Sequence, residues 1–312
     1  MPHITFIHGL ANKPAAETLY HIWLRALAKG NNGLALGPLG VSSKMVYWAD
    51  VLYPEPDPNV ADYESTSESA PHEVDAGGDA RTPIGTNEKE KRFIQRMREQ
   101  DTTMTDEEIK HADDQGSANE HATKLERIPL PWAIKEKIMA AKLRDAYVYL
   151  FNKEFSPRPG VTYKVQNHIR QLFIDALKSA PQSGPHIVVS HSMGTIIAYD
   201  CLKRVPECPA IDCLMTMGSP LGIDEVQDCL EPQWTRSNGY PKGGIKSEWV
   251  NIFDRLDVVC GADPKIANDF CDGDVERIQD IEVGNEGVWR HSIVKYFARD
   301  EVRTALRKAL HL

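Results

Sequence analysis

The sequence predicts an α/β protein with a mostly parallel central sheet and helices on both faces. Short runs that are apolar throughout are typical of strands buried on both faces, as in a parallel sheet. Between these runs lie longer segments whose apolar residues recur with the helical period. The chain of 312 residues is long enough to bury one large core, so we expect a single domain over residues 1–312.

The predicted strands are short and lie on both sides of a long polar segment. They are His3–His8, Lys44–Trp48, His186–Ser190, Cys213–Met217, Trp249–Phe253 and Ile278–Val283. The predicted helices fill the intervals between them or follow them. They are Ala15–Lys29, Ile134–Phe151, Val161–Ala180, Gly194–Arg204 and Ser292–His311. In such sheets ligands bind at the carboxyl ends of the strands, so chemistry is expected just after each strand.

Residues 54–150 form an insertion within this domain, acidic over 54–127 and helical after that. The acidic part holds 19 Asp and Glu against 9 Lys and Arg and few apolar residues, so it cannot bury a core by itself. Two interpretations remain open. The segment is either a solvated insertion whose charges serve solubility or a lid, or cap, over a binding site. If the protein contacts a lipid surface peripherally, we expect the contact to be made through this insertion.

The composition excludes several classes of protein. No run approaches the roughly 18 apolar residues of a membrane helix, so no integral membrane segment is expected. The net charge of −9, without a basic stripe, argues against a nucleic-acid partner. The N-terminal run MPHITFIHGL has neither the basic start nor the cleavage site of a secretory signal, which favours a cytoplasmic protein. Export by a route that needs no cleaved signal stays open.

Neither a cofactor nor a metal is expected. The six cysteines lack CxxC spacing, which indicates reduced thiols rather than disulfides or a zinc site. The acidic run at Asp269, Asp272 and Asp274 fits no EF-hand loop and is interpreted as an Asp-Gly turn. Phosphate-binding glycine loops are absent from the sequence.

The candidate nucleophile is Ser192, in an S-x-S-x-G pattern between a predicted strand and a predicted helix. A sharp turn there forces the serine into a strained conformation, so the residues two before and two after must be small. Gly194 meets this demand fully, and Ser190 stands where glycine is commoner. The alternative is that Ser192 only caps the following helix.

Five segments resemble the α/β-hydrolase superfamily, and within it the lipase-like serine esterases, including those similar to GPI inositol-deacylases. They are Phe6–Leu10, Val188–Gly194, Thr216–Leu221, Trp249–Val259 and Val288–Phe297. The resemblance covers roughly residues 1–50 and 160–312 and leaves the acidic insertion unmatched. It implies the α/β-hydrolase fold and a catalytic triad in the chain order Ser192, Asp257, His291.

The serine hydroxyl also needs a base and an orienting carboxylate on chemical grounds. His291 precedes an amphipathic helix, in a loop suited to reaching over the edge of the sheet. Asp257 is the favoured acid. Asp254 remains open as an alternative or as a residue that stabilises the loop, and Asp224 is the third candidate.

An oxyanion hole needs two main-chain N–H groups aimed at one point, and Leu10 and Met193 are the candidates. Gly9, His191 and Ser219 are the candidate substrate-binding residues. We therefore expect a serine hydrolase that cleaves carboxylic esters of small molecules or lipids through an acyl-enzyme. An acyltransferase or thioesterase with the same triad, or a non-catalytic binding module that keeps the fold, remains open.

Overall fold

Strands and helices alternate along the chain in the computed structural model. The structure describes residues 1–60, 63, 85–103, 143–181, 183–257, 259–260, 263–285 and 290–312. The strands are β1 (His3–Ile7), β2 (Ser42–Val46), β3 (Glu154–Arg158), β4 (Val161–Lys164), β5 (His186–His191), β6 (Ile211–Met217), β7 (Ile245–Phe253) and β8 (Ile278–Glu282). The helices are α1 (Ala16–Ala28), α2 (Glu88–Thr103), α3 (Val165–Lys178), α4 (Met193–Arg204), α5 (Asp224–Leu230), α6 (Ile293–Phe297) and α7 (Asp300–Leu310). Residues 143–150 are also helical.

Six of these strands form one parallel sheet in the order β2-β1-β5-β6-β7-β8. The prediction of an α/β protein with a parallel central sheet is therefore confirmed. β3 and β4 lie outside this sheet and pair with each other as an antiparallel hairpin.

Apolar side chains cover both faces of the sheet. Along β5, Val188 packs into one hydrophobic cluster, whereas Ile187 and Val189 pack into the other. The first cluster includes residues of α3, α4 and α5, and the second includes residues of α1, α6 and α7. The burial of β5 on both faces explains why its sequence is apolar throughout rather than alternating.

Two predicted helices have different bounds in the structure. The helix predicted at Val161–Ala180 begins only at Val165, because residues 161–164 form β4 after a turn at Gly160, whose φ is +76°. The helix predicted at Ser292–His311 is two helices, α6 and α7, separated by an extended Arg299. Acidic residues then open α7, where the helix dipole favours them.

The insertion is described only in part. α2 was not predicted, because the segment is so polar; its start is capped by Asn87, whose Oδ1 accepts the Glu90 N–H at 3.0 Å. The buried residues of α2 include Phe93 and Met97. Of the helix predicted at Ile134–Phe151, residues 143–150 are helical and the earlier ones lie outside the described residues, as does much of the acidic segment. No helix in the described ranges is both long enough and apolar enough to cross a membrane.

Candidate active site

The topology of the sheet brings two loops together at the carboxyl ends of β1 and β5. The chain leaves β1 toward β2 on one side and returns to β5 on the other. A crevice forms where the strand order reverses in this way, and ligands of open α/β sheets bind there. The loop after β1 contains Gly9, and Ser192 directly follows β5. A Cβ built on Gly9 would lie only 2.5 Å from Ser192 Cβ, so the two loops are in close contact.

Ser192 occupies a strained turn between β5 and α4. Its backbone has φ 54° and ψ −131°, and such a conformation costs a non-glycine residue about 1–3 kcal/mol. Gly194 makes the turn possible, because a Cβ at that position would lie 2.6 Å from the His8 carbonyl oxygen. Ser190 is accommodated because its hydroxyl donates to the Met215 carbonyl of β6 at 3.0 Å.

Asp257 and His291 form a buried hydrogen-bonded pair. His291 Nδ1 lies 2.9 Å from Asp257 Oδ1 and 2.8 Å from Oδ2. The carboxylate also accepts the Val259 N–H at 3.0 Å and the Tyr296 hydroxyl at 2.8 Å. Burial alone would raise the pKa of Asp257, but the charge of His291 and these hydrogen bonds lower it from 3.8 to about 2. Because an ionised carboxylate only accepts, Nδ1 carries the proton, and in the neutral ring Nε2 is the basic nitrogen.

His191 connects the turn that carries Ser192 to the loop that carries His291. Its Nε2 lies 2.8 Å from the His291 carbonyl oxygen, and because a carbonyl only accepts, Nε2 donates. The two imidazole rings are 4.4 Å apart. Burial, followed by the neighbouring His291, holds the pKa of His191 well below 6.5, so the ring is neutral near pH 7.

A small cavity, about 40 Å³ in volume, is shared by Ser192 and His291. The predicted binding residues Gly9 and His191 line it together with Leu10. Its apolar lining also includes Ala11, Leu19, Trp23, Val259 and Ile293. Ser192 Oγ is buried and makes no hydrogen bond to a described residue, so the structure does not join it to His291. Bonds between a nucleophile and its base are often long without substrate and shorten in the bound complex.

His8 fixes the orientation of the Gly9–Leu10 peptide. Its Nδ1 lies 2.8 Å from the Gly9 carbonyl oxygen, and its Nε2 accepts the Trp48 N–H at 3.0 Å. Burial and the charge of Lys13 lower the pKa of His8 to about 3, so its ring is neutral near pH 7 and Nδ1 donates. Because a trans peptide is planar, holding the Gly9 carbonyl turns the Leu10 N–H to the opposite side.

Leu10 and Met193 were predicted to supply the oxyanion hole. Neither of their N–H groups donates a hydrogen bond within the described part of the chain. Met193 is the first residue of α4, where the helix dipole favours negative charge. Both groups therefore stay the candidates for the oxyanion hole.

Ser219, the third predicted binding residue, is hydrogen-bonded to α4 and to the turn after β6. Its hydroxyl is 2.8 Å from Thr195 Oγ1 and accepts the Leu221 N–H at 3.2 Å, which caps the turn of 3-10 helix at Pro220–Gly222. It is not among the residues that line the cavity. Ser219 therefore contacts α4 through Thr195 and caps the turn that follows β6.

The other two candidate acids also lie apart from the His291 ring. Asp254 Oδ2 accepts the Asn285 N–H at 2.6 Å and lies 3.2 Å from Arg290 Nη1, so it holds the loop that precedes His291. Burial raises the pKa of Asp254. Asp224 is exposed at the first residue of α5. Of the three acids, only Asp257 is hydrogen-bonded to His291.

Two residues at the site were not found from the sequence. Tyr296 sits on α6, where an aromatic residue of an amphipathic helix is expected to be core packing, and only the structure shows its hydroxyl on Asp257. Asp145 lies near the end of the insertion, 134 positions after Ala11, yet its carboxylate accepts the Ala11 N–H at 2.9 Å. The positive φ of Ala11, 65°, has no signal in the sequence because alanine rarely adopts it.

Comparison with known proteins adds no family to this geometry. No protein-family model matches the chain, and no curated protein matches it. The function is therefore inferred from the residues of the site.

Proposed function

We propose that the chain is a serine hydrolase with the α/β-hydrolase fold and that it cleaves carboxylic esters through an acyl-enzyme. The observation that carries the proposal is the buried Asp257–His291 pair at a cavity shared with a strained Ser192. This combination supplies a nucleophile, a base and a carboxylate that orients the base. The parallel sheet, the strained turn after β5 and the chain order serine, aspartate, histidine support the hydrolase fold.

In the proposed reaction, Ser192 Oγ attacks the ester carbonyl carbon and His291 Nε2 takes the hydroxyl proton. Asp257 keeps the other ring nitrogen protonated and stabilises the imidazolium that forms. The imidazolium then donates its proton to the departing alcohol oxygen as the C–O bond breaks. A water, deprotonated by the same Nε2, then attacks the acyl carbon. As the bond to Ser192 Oγ breaks, the imidazolium returns the proton to Oγ and the carboxylic acid is released.

The negative charge that develops on the carbonyl oxygen is accepted by the Leu10 and Met193 N–H groups. Donors fixed in advance are effective because they need no reorganisation during the reaction. His8 and the N-terminus of α4 provide that fixation. Lys13 lines the cavity, but most of its other lining residues are apolar, Leu19 and Val259 among them. The apolar part of the lining favours the hydrocarbon of an acyl group, from either a small ester or a lipid.

The direct test is Ser192→Ala, measured with p-nitrophenyl butyrate and with a fluorophosphonate probe that labels activated serines. We expect the wild-type chain to hydrolyse the ester and to be labelled at residue 192, and the variant to do neither. The matched control is Ser156→Ala, which removes a serine hydroxyl from β3 and should leave both readouts unchanged. Unlabelled wild-type protein would overturn the proposal and favour a binding module.

Acyl transfer is distinguished by the products. When an alcohol or a thiol is added as a competing acceptor, a hydrolase still releases mainly free acid, whereas an acyltransferase releases the new ester or thioester. A panel of acyl esters, thioesters and phospholipids then identifies the substrate class. Hydrolysis of thioesters only would replace the esterase assignment with a thioesterase.

A further inference from the structure

The loop after β1, residues 9–13, carries the Leu10 N–H and has an unusual backbone. Ala11 adopts φ +65°, a conformation that alanine enters only when its surroundings impose it. The Ala11 N–H donates to Asp145 Oδ2 at 2.9 Å. A side chain from the end of the insertion therefore holds the main chain of this loop.

Asp145 is the centre of a fully buried polar cluster. Its Oδ1 accepts Arg144 Nε at 3.0 Å and Arg144 Nη2 at 2.8 Å, and its Oδ2 accepts the Tyr53 hydroxyl at 3.0 Å. The Arg144 guanidinium also lies 4.6 Å from the centre of the Tyr53 ring. Burial and the Asp145 charge raise the pKa of Tyr53 well above 10.0, so its hydroxyl stays a donor. Both oxygens of Asp145 are thus occupied, and one of them holds Ala11.

The position of Leu10 makes this contact significant for catalysis. His8 holds the peptide plane before Leu10 through the Gly9 carbonyl. The plane after it is held by Asp145 through the Ala11 N–H and by Lys13, whose Nζ donates to the Leu10 carbonyl at 2.6 Å. Because peptide units are rigid planes, fixing both neighbours fixes the two dihedral angles of Leu10. The position of the Leu10 N–H then depends on all three contacts.

Resting on the proposed function, we propose that Asp145 is a positioning residue that holds the Leu10 N–H toward the substrate oxygen. A residue at the end of the insertion thereby determines whether the oxyanion hole has the geometry to bind the substrate oxygen. Replacement of a buried ion pair by apolar residues of similar size often leaves stability unchanged or improved, so a stable fold alone does not require the Arg144–Asp145 pair. What the Arg144–Asp145 pair provides beyond stability is an acceptor that holds the Ala11 N–H.

A second buried aspartate provides the matched control. Asp200 is also fully buried; it accepts the Tyr149 hydroxyl at 2.7 Å and pairs with Arg170 and Arg204. It lies on α4 about two turns beyond Ser192 and holds none of the loops that line the cavity. Asp200→Asn therefore removes the same charge from an equally buried aspartate without touching Leu10.

The experiment compares kcat, KM and melting temperature of Asp145→Asn and Asp200→Asn with those of the wild-type protein. We expect kcat to fall in Asp145→Asn with little change in KM, because a transition-state contact is weakened. Asp200→Asn should lose melting temperature but keep kcat. The double variant Arg144→Met/Asp145→Leu avoids an unpaired buried charge and should stay folded while losing about 10²-fold in kcat. Equal kcat losses in the Asp145 and Asp200 variants, or none in either, would overturn the proposal.

Amide hydrogen exchange in residues 9–13 measures the protection of the Ala11 N–H directly and requires no enzymatic activity. Exchange at Ala11 should be faster in Arg144→Met/Asp145→Leu, which has no acceptor at position 145, than in the wild type and should be unchanged in Asp200→Asn. Equal protection of Ala11 in all three proteins contradicts the anchoring, even if the ester is hydrolysed. Conversely, absence of Ser192-dependent hydrolysis removes the proposed function, and the exchange experiment still decides whether Asp145 holds the loop.

Discussion

The Tyr296 hydroxyl donates a hydrogen bond of 2.8 Å to Asp257 Oδ2, the same oxygen that accepts His291 Nδ1. The Tyr296 oxygen in turn accepts the Asp254 N–H at 3.1 Å. Tyr296 is fully buried on α6, the short helix that follows His291. One helix therefore positions both the histidine and a hydrogen-bond donor to its carboxylate. Tyr296 acts through Asp257 and contacts no reacting atom of the proposed mechanism.

Tyr296→Phe should raise the pKa of Asp257 from about 2 toward 3.8, because a hydrogen bond to the ionised form is lost. A carboxyl whose pKa is lowered by folding stabilises the folded state above pH 3.8 and loses that contribution as the pH falls toward 2. The free energy of unfolding at pH 7 should therefore fall, by about 1.5–3 kcal/mol for a bond to a charged group. The measurement is a carboxyl ¹³C NMR titration combined with urea unfolding.

Tyr199→Phe is the control for this change. Tyr199 is equally buried, but its hydroxyl donates to the Gly239 carbonyl at 2.7 Å, away from the candidate triad. Its removal should cost about 0.5–1.5 kcal/mol, since the bond is between neutral groups, and should leave the titration of Asp257 where it was. If Asp257 titrates identically in both variants, Tyr296 is only a packing residue.

Gly9→Ala should abolish ester hydrolysis. The added methyl group would lie 2.5 Å from Ser192 Cβ and 3.0 Å from Ser192 Oγ, so the loop after β1 or the serine must move. Overpacking of this kind costs about 1–3 kcal/mol of stability, which a folded domain tolerates, whereas a displaced oxyanion loop does not support catalysis.

The matched control is Gly37→Ala, at a glycine with no heavy atom within 4 Å of the built Cβ. This variant should keep both the fluorophosphonate labelling and the turnover of the wild-type protein. Wild-type activity in Gly9→Ala would mean that the close contact between the two loops is irrelevant to the reaction.

The central strands of the parallel sheet could be predicted because burial on both faces requires apolar residues. β1 and β5 are buried along their whole length and are rich in apolar residues, and the turn at Ser192 is marked by the small residues that its steric demand requires. β4 was missed because Val161 lies four positions before Val165 and so continues the apolar period of α3 in the sequence. Its pairing with β3 follows from a turn and from tertiary packing, which a helical period does not reveal.

The supports of the candidate site could not be predicted for a different reason. The contact between Asp145 and Ala11 spans 134 positions, and that between Tyr296 and Asp257 spans 39. Buried aspartates and tyrosines have no spacing rule, because their partners are chosen by the fold and not by the local chain. A residue type with a known chemical task, such as Ser192 or His291, can be proposed from its position after a strand, whereas a residue that holds it cannot.

The strain at Ser192 can be measured by comparing Ser192→Gly with Ser192→Ala. Both variants lack the hydroxyl, but only glycine adopts φ 54° without steric cost. If the turn imposes this conformation, Ser192→Gly should be more stable than Ser192→Ala by about 1 kcal/mol, the lower end of typical backbone strain. Urea unfolding of the two proteins gives the difference. An alanine variant that is equally stable or more stable contradicts the strained turn, because glycine is otherwise the less favourable residue.

The stability of the fold should decrease as the pH falls below about 6.5, partly because of His186. This histidine begins β5, and its Nε2 lies 2.8 Å from Thr5 Oγ1 on the neighbouring strand. Burial and the nearby His3 lower the pKa of His186 from 6.5 to about 4. Between these values the unfolded chain binds more protons than the folded one, so acid favours unfolding.

For His186 alone, the free energy of unfolding should fall by about 2 kcal/mol between pH 7 and pH 5. His3, His8 and His191 also have lowered pKa values and add to the loss in the same direction. His186→Gln keeps a polar side chain facing Thr5 without a titrating ring, so its stability should depend less steeply on pH than that of the wild type. His311→Gln, at the exposed C-terminal histidine, should keep the wild-type slope. If the slopes of His186→Gln and the wild type agree, folding does not lower the pKa of His186 and the prediction is wrong.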